Sequence, residues 1–116
     1  MARTIERYRQ IVQQLLNEYA QIPYAHDDLI DETIFDRQAD RYLLVTVGWQ
    51  GRNRIHTTIL HLDIRENQVW VQCNNTDQDI VAELVERGIT QGDIVVPVPV
   101  TTESESHLVA DRLATV

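Results

Sequence analysis

Apolar positions recur at three- and four-residue steps from Thr4 to Ala20: Ile5, Tyr8, Val12, Leu15, Leu16 and Tyr19. That spacing lines them along one face of an amphipathic helix, which Pro23 is expected to close. Tyr24 to Asp28 reads as a polar connection in which His26, Asp27 and Asp28 form a solvated turn. The pattern then changes to alternation. Leu29 to Asp36 predicts a first strand, with Ile30 and Ile34 on one side and Leu29 and Phe35 on the other, as suits a sheet edge. After a turn at Arg37–Asp40, Tyr42 to Cys73 reads as three consecutive strands joined by tight turns.

Loop length fixes which residues oppose each other in a hairpin. A turn at Gly51 and Arg52 pairs Trp49 with Arg54, Val47 with His56, Val45 with Thr58 and Leu43 with Leu60. A turn at Glu66 and Asn67 pairs Ile64 with Val69, Asp63 with Trp70, Leu62 with Val71 and His61 with Gln72. Strict alternation then assigns Leu43, Val45, Val47, Leu60, Leu62, Ile64, Val69, Val71 and Cys73 to the core face. Tyr42, Leu44, Thr46, Gly48, Ile55, Thr57, Ile59, His61, Asp63, Trp70 and Gln72 go to the other face. A half-apolar second face with an aromatic and polar cluster implies a ligand or another protein surface against it.

Beyond Cys73, Thr76 followed three residues later by Asp79 resembles a capping box and predicts the start of a second helix. Ile80, Val81, Leu84 and Val85 form its buried stripe, and Gly88 suits the left-handed residue that ends it. Gln91-Gly92-Asp93 predicts a turn and Ile94–Val98 a strand, which Pro97 confines to an edge. The segment 99–116 reads as a variable or mobile tail. The expected fold is α+β: an antiparallel meander of about four to five strands with an N-terminal helix and a second helix after the central sheet, in a single domain over residues 1–116.

Composition narrows the function. The 116 residues carry 43% hydrophobic and 24% charged side chains, values of an ordinary soluble domain. A formal net charge of −8 argues against direct binding to nucleic acid, which needs a basic footprint to displace counterions, and Arg52 with Arg54 is too small a patch to reverse that. One cysteine provides neither an intramolecular disulfide nor a zinc cluster, so Cys73 is expected to be a small buried residue. No apolar run approaches the roughly 20 residues of a membrane span, and no signal-peptide core is present, so a cytoplasmic location without membrane association is expected.

The sharpest chemical constellation is His61, Asp63, Trp70 and Gln72 on one face, with Tyr42 beside them. A histidine two residues from an aspartate on one strand resembles an oriented general base, and Trp with Gln resembles a holder of planar ligands. No Ser, Cys or Lys nucleophile joins them, so a hydrogen-bonded contact surface is the better account. Alternation separates His56 from His61, which removes a two-histidine metal site; no metal or cofactor is expected.

Phe35-Asp36, Arg41-Tyr42, Val47-Gly48-Trp49, Arg54, His61-x-Asp63-Ile64, Trp70-Val71-Gln72, Gly88-Ile89 and Asp93-Ile94-Val95 together form a pattern. Over about Tyr8 to Val96 the chain resembles the fdxN element excision controlling factor family, the XisI-like proteins. The resemblance implies a small α+β protein with an accessory role in programmed DNA excision, working with an XisH-like companion factor and bringing no catalytic residues. The segment after Val96 departs from the family in lacking a Gly-Phe and an aromatic, basic tail. The expected function is therefore a non-enzymatic controlling factor acting through protein partners, with self-association into a homo-oligomer also expected. The alternative is a small-ligand-binding module or minor enzyme using the His61/Trp70 face.

Overall fold

The computed structural model describes residues 2–22 and 28–98. Helix α1 spans Ala2–Ala20, followed by strands β1 (Asp28–Asp36), β2 (Arg41–Gln50), β3 (Asn53–Arg65) and β4 (Gln68–Asn74). Helix α2 (Ile80–Glu86), a 3-10 turn at Gln91–Asp93 and the two-residue strand β5 (Ile94–Val95) complete it. The sheet order is β1-β2-β3-β4-β5, antiparallel except for the parallel β4–β5 pair. The expected α+β meander is therefore present, and β5 adds one parallel strand at its edge. The expectations for Pro23, the His26 connection and the 99–116 tail lie outside the described residues.

Both helices pack on the same side of the sheet. Tyr8, Ile11, Val12, Leu15 and Leu16 of α1 and Ile80 and Leu84 of α2 form one buried cluster with Tyr42, Leu44, Leu60, Leu62, Ile64, Val69 and Val71. Burying each of these large side chains is worth about 1.5–3 kcal/mol. That outweighs the exposed ion pairs on the rim of α1, such as Arg37–Glu6 at 2.6 Å, which are worth about 0–1 kcal/mol each. Two tyrosine hydroxyls on α1 fix its seating: Tyr8 donates to Asp93 and Tyr19 to Glu83.

Turn chemistry follows local sequence. Gly51 has φ +63° in the two-residue β2–β3 loop, the left-handed first position that a type II′ hairpin requires. Glu66 and Asn67 are both left-handed, at φ 50° and 66°, giving the β3–β4 loop its I′ geometry. The cap of α2 differs from the expectation. Asp79 is itself the N-cap, accepting from the Ala82 N–H at 3.0 Å, while Thr76 closes a small turn by accepting from the Gln78 N–H. At the other end Gly88 has φ +112°, and Ile89 N–H donates to the Leu84 carbonyl at 3.0 Å, a Schellman closure.

Two β-bulges change the faces. The β2–β3 pairing runs Val45↔Thr58 and then Leu44↔Leu60, leaving Ile59 without a partner. The β3–β4 pairing runs Leu62↔Val71 and then His61↔Cys73, leaving Gln72 extra. An extra residue reverses the in-out phase beyond it. Tyr42 and Leu44 consequently turn under α1, at 0% and 1% exposure, and Leu43, Val45 and Val47 turn to the other face, where Leu43 and Val47 are half-buried and Val45 is buried. This corrects the alternation-based assignment of β2. Leu60, Leu62, Ile64, Val69 and Val71 keep their expected core positions. Cys73 is half-buried beside His61 rather than in the core.

Candidate functional site

The open face of the sheet, away from both helices, divides into two halves. On β3 and β4 it carries the polar constellation anticipated from sequence, and its centre is Asp63. This carboxylate is 1% exposed although no helix among the described residues covers it. Four side chains close over it. His61 Nε2 lies 2.7 Å from Oδ1, while Arg65 at 3.2 Å, Gln72 at 3.2 Å and Arg41 at 3.4 Å address Oδ2. An ionised carboxylate only accepts, so Nε2 of His61 is the donor in that contact.

The fold supplies each position. His61, Asp63 and Arg65 alternate along β3 and share a face, and β2 brings Arg41 directly opposite Asp63. Trp70 is the cross-strand partner of Asp63 on β4, and the Arg65 guanidinium lies 5.8 Å from the Trp70 ring centroid, within cation–π range. The β4 bulge lets Gln72 reach Asp63. The indole Nε1 of Trp70 is buried and finds no acceptor among the described residues.

Of the five residues expected at this surface, the structure brings together His61, Asp63, Trp70 and Gln72. Tyr42 is not with them. It lies under α1 and its hydroxyl donates to Asp40 at 2.8 Å, where Arg9 also binds Asp40 through two bonds of 2.7 and 3.0 Å. The Arg9 bonds hold the Asp40 carboxyl below its ordinary range, with help from Tyr42. Burial, then donation to Asp40, pushes the Tyr42 hydroxyl up. This is a brace between helix and turn.

Arg41 and Arg65 were not among the expected residues. Arg65 was legible, since it continues the His61-x-Asp63 alternation by one step. Arg41 was not, because unbroken pairing would set it against Leu62 and only the Ile59 bulge sets it against Asp63. The same bulge corrects the separation of the histidines: His56, opposite Val47, shares the open face with His61, opposite Leu43. Among the described residues no group of three or more His, Cys, Asp or Glu side chains converges as metal ligands would.

With its lone pairs taken by two guanidiniums, an amide and an imidazole, Asp63 is a fixed hub rather than a free base. What it holds outward is two cationic, planar guanidiniums, an indole face and an amide, the groups most used in recognition.

The β1–β2 half of the same face is apolar. Ile30, Ile34 and Trp49 are 58%, 48% and 49% exposed, and half-buried Leu43 and Val47 lie between them. Arg54 lies 5.3 Å from the Trp49 ring centroid.

Comparison with known proteins agrees with this architecture. The XisI protein family matches residues 1–107. The crystal structure of an XisI-like protein from Anabaena variabilis ATCC 29413 is similar at 35% identity and a TM-score of 0.75, over 83% of this chain and 89% of that one. The fdxN element excision controlling factor XisI from the same organism is similar at 32% identity and a TM-score of 0.68, over 79% of this chain and 84% of that one. A comparison with curated proteins found no match. With nearly its whole length inside the family match, and two solved XisI-type structures similar to it over most of both chains, the chain belongs to the XisI family.

Proposed function

We propose that this protein is a non-enzymatic controlling factor in the excision of a DNA element, and that it acts by binding a protein partner through the β3–β4 half of its open face. The family supports the excision setting, since one structural neighbour is itself described as an fdxN element excision controlling factor. The observation that carries the mode of action is the Asp63 hub. A buried carboxylate with four side chains folded onto it is costly to assemble, and here it fixes Arg41, Arg65 and Gln72 in one arrangement, with Arg65 held against the Trp70 ring.

The charge balance favours protein over DNA as the partner. Ten arginines against eighteen carboxylates leave the molecule at −8, so a duplex is repelled over most of the surface, whereas a basic protein is attracted. An XisH-like companion factor, implied by the family resemblance, is the partner to test in the cytoplasm. No helix among the described residues is long and apolar enough to cross a membrane. The experiment is a titration of the purified companion with this protein and with Trp70→Ala. Saturable binding weakened by that substitution is expected; binding that ignores it contradicts the proposal.

A further inference from the structure

One row of the sheet leads from its last strand to the Asp63 hub. Val95 of β5 pairs with Trp70, Trp70 with Asp63 and Asp63 with Arg41. Ile94 packs against the core cluster, so alternation turns Val95 to the open side, the side of Trp70. Pairing between β4 and β5 stops at Val95. Prolines at 97 and 99 have no N–H with which to continue a ladder, so the chain leaves the sheet here, and Val98, the last described residue, is 73% exposed.

The row holds donors that lack an acceptor. The indole Nε1 of Trp70 is shielded from water and has no partner among the described residues, and a buried donor in that state marks a place where an oxygen belongs. Arg65 and Arg41 each give one N–H to Asp63 Oδ2 while their side chains stay 48% and 51% exposed. Each guanidinium carries five N–H groups, so most of its donors remain open. Two guanidiniums against one carboxylate leave local positive charge on a molecule of net charge −8. Asp36, the β1 partner of Arg41, directs its carboxylate to the Gln38 and Ala39 amides instead. An acidic segment is what this row can receive.

We infer that residues 99–116 bind back onto this row within the same molecule, with the carboxylates of Glu103 and Glu105 received by Arg65, Arg41 and the Trp70 indole N–H. Reach allows it. Glu103 lies five residues beyond Val98, about 17 Å of extended chain, and the three inter-strand steps from β5 to β2 measure about 14 Å. Glu103-Ser104-Glu105 places two carboxylates on one side of an extended segment, about 7 Å apart. From Pro99 to Asp111 the chain has no arginine or lysine, so the part within reach carries carboxylates without a competing cation other than His107. The tether holds these carboxylates at an effective concentration of about a millimolar, which an acidic segment on another molecule has to supply by its own affinity.

The contact makes residues 99–116 a competitor for the surface assigned above to a companion protein. That regulatory consequence rests on the companion reading; the contact itself does not.

The test follows Trp70 in the full chain. Trp49→Phe leaves Trp70 as the one indole, since the sequence has two tryptophans. Quenching by acrylamide, which is uncharged, then reports how well Trp70 is covered. In that background the pair Glu103→Lys and Glu105→Lys should raise the quenching constant about twofold and shift the emission to the red, as a contact held at millimolar effective concentration is lost. The control Glu86→Lys, on the exposed side of α2, should change neither. Roughly 1 M salt, where the screening length is about 3 Å, should bring the parent toward the charge-reversed pair and leave that pair unchanged. Far-ultraviolet circular dichroism should be the same for all. Equal quenching of the parent and the charge-reversed pair overturns the inference, and so does an equal response to Glu86→Lys. Protection that disappears on dilution assigns the contact to another copy and overturns it too. No companion is present in these measurements, so they succeed or fail independently of companion binding.

Discussion

Gly48 is the residue at which the β1–β2 contact leaves no room for a side chain. Its φ is +144°, and a Cβ there would stand 2.0 Å from the Asp28 carbonyl oxygen, which belongs to backbone and has nowhere to go. Gly48→Ala is therefore expected to cost about 2–4 kcal/mol, combining strained backbone with a forced strand displacement. Urea unfolding would read that loss directly. Gly51→Ala, with open space around the added methyl, should cost less. Titration acts on another residue, Asp40. The Arg9 guanidinium is the main cause of its lowered pKa, so the folded state holds the carboxylate form more tightly than the unfolded chain does. The stability this brings is complete above the ordinary aspartate range and is lost as pH falls below about 4 through the folded value. Glu6 and Glu18, paired with Arg37 and Arg87, shift in the same direction. Tyr42 has the opposite sign. Its raised pKa means that stability is complete below about pH 10 and declines above it, as only the unfolded chain ionises. Thermal melts across pH should show Arg9→Gln flattening the acid limb.

At the scale of elements, α2 shows how a short helix depends on its ends. Seven residues are too few to be stable alone. Its N-terminus rests on the Asp79 cap and its C-terminus on the Gly88 closure, with Ile80 and Leu84 buried between them. Asp79→Ala should cost about 1 kcal/mol in a thermal or urea melt, while Thr76→Ala, which touches only the preceding turn, should cost less. The helices, the five strands and both hairpin turns were legible because periodicity and turn residues are local. The phase of β2 was not. Apolar alternation on β3 runs through Ile55 and Ile59 and then restarts through Leu60, Leu62 and Ile64, so the adjacent pair Ile59-Leu60 marks the slip in the sequence itself. Extrapolating one register across that pair placed Tyr42 outward and Leu43 inward, and a single extra residue reverses both. Asp63 and Trp70 escaped the error because the β3–β4 bulge lies beyond them, at Gln72, counted from the turn that fixes their register; His61, expected opposite Gln72, pairs with Cys73 instead but keeps its face because it alternates with Asp63 along β3. Arg41 could be recognised only in three dimensions, since its place opposite Asp63 depends on the bulge.

On the scale of the molecule, two helices cover one side of a five-stranded sheet and leave the other side to solvent among the described residues. A single sheet with one apolar and one polar face needs no second layer. This one has a second face that is neither. Its β1–β2 half exposes Ile30, Ile34 and Trp49, and its β3–β4 half carries His61, Arg65, Trp70 and Gln72 around the buried Asp63. Companion binding is proposed for the β3–β4 half alone, so Ile34→Lys on the other half should leave it intact. Family membership places the molecule beside excision controlling factors.

The most direct test is the affinity of the purified XisH-like companion for this protein, measured by titration with wild type and with Trp70→Ala, each shown to be folded by circular dichroism. The account predicts saturable binding by wild type and a loss of about tenfold or more with the variant, as truncation of a central aromatic anchor brings. Absence of binding by wild type, or equal affinity for the two proteins, would contradict it.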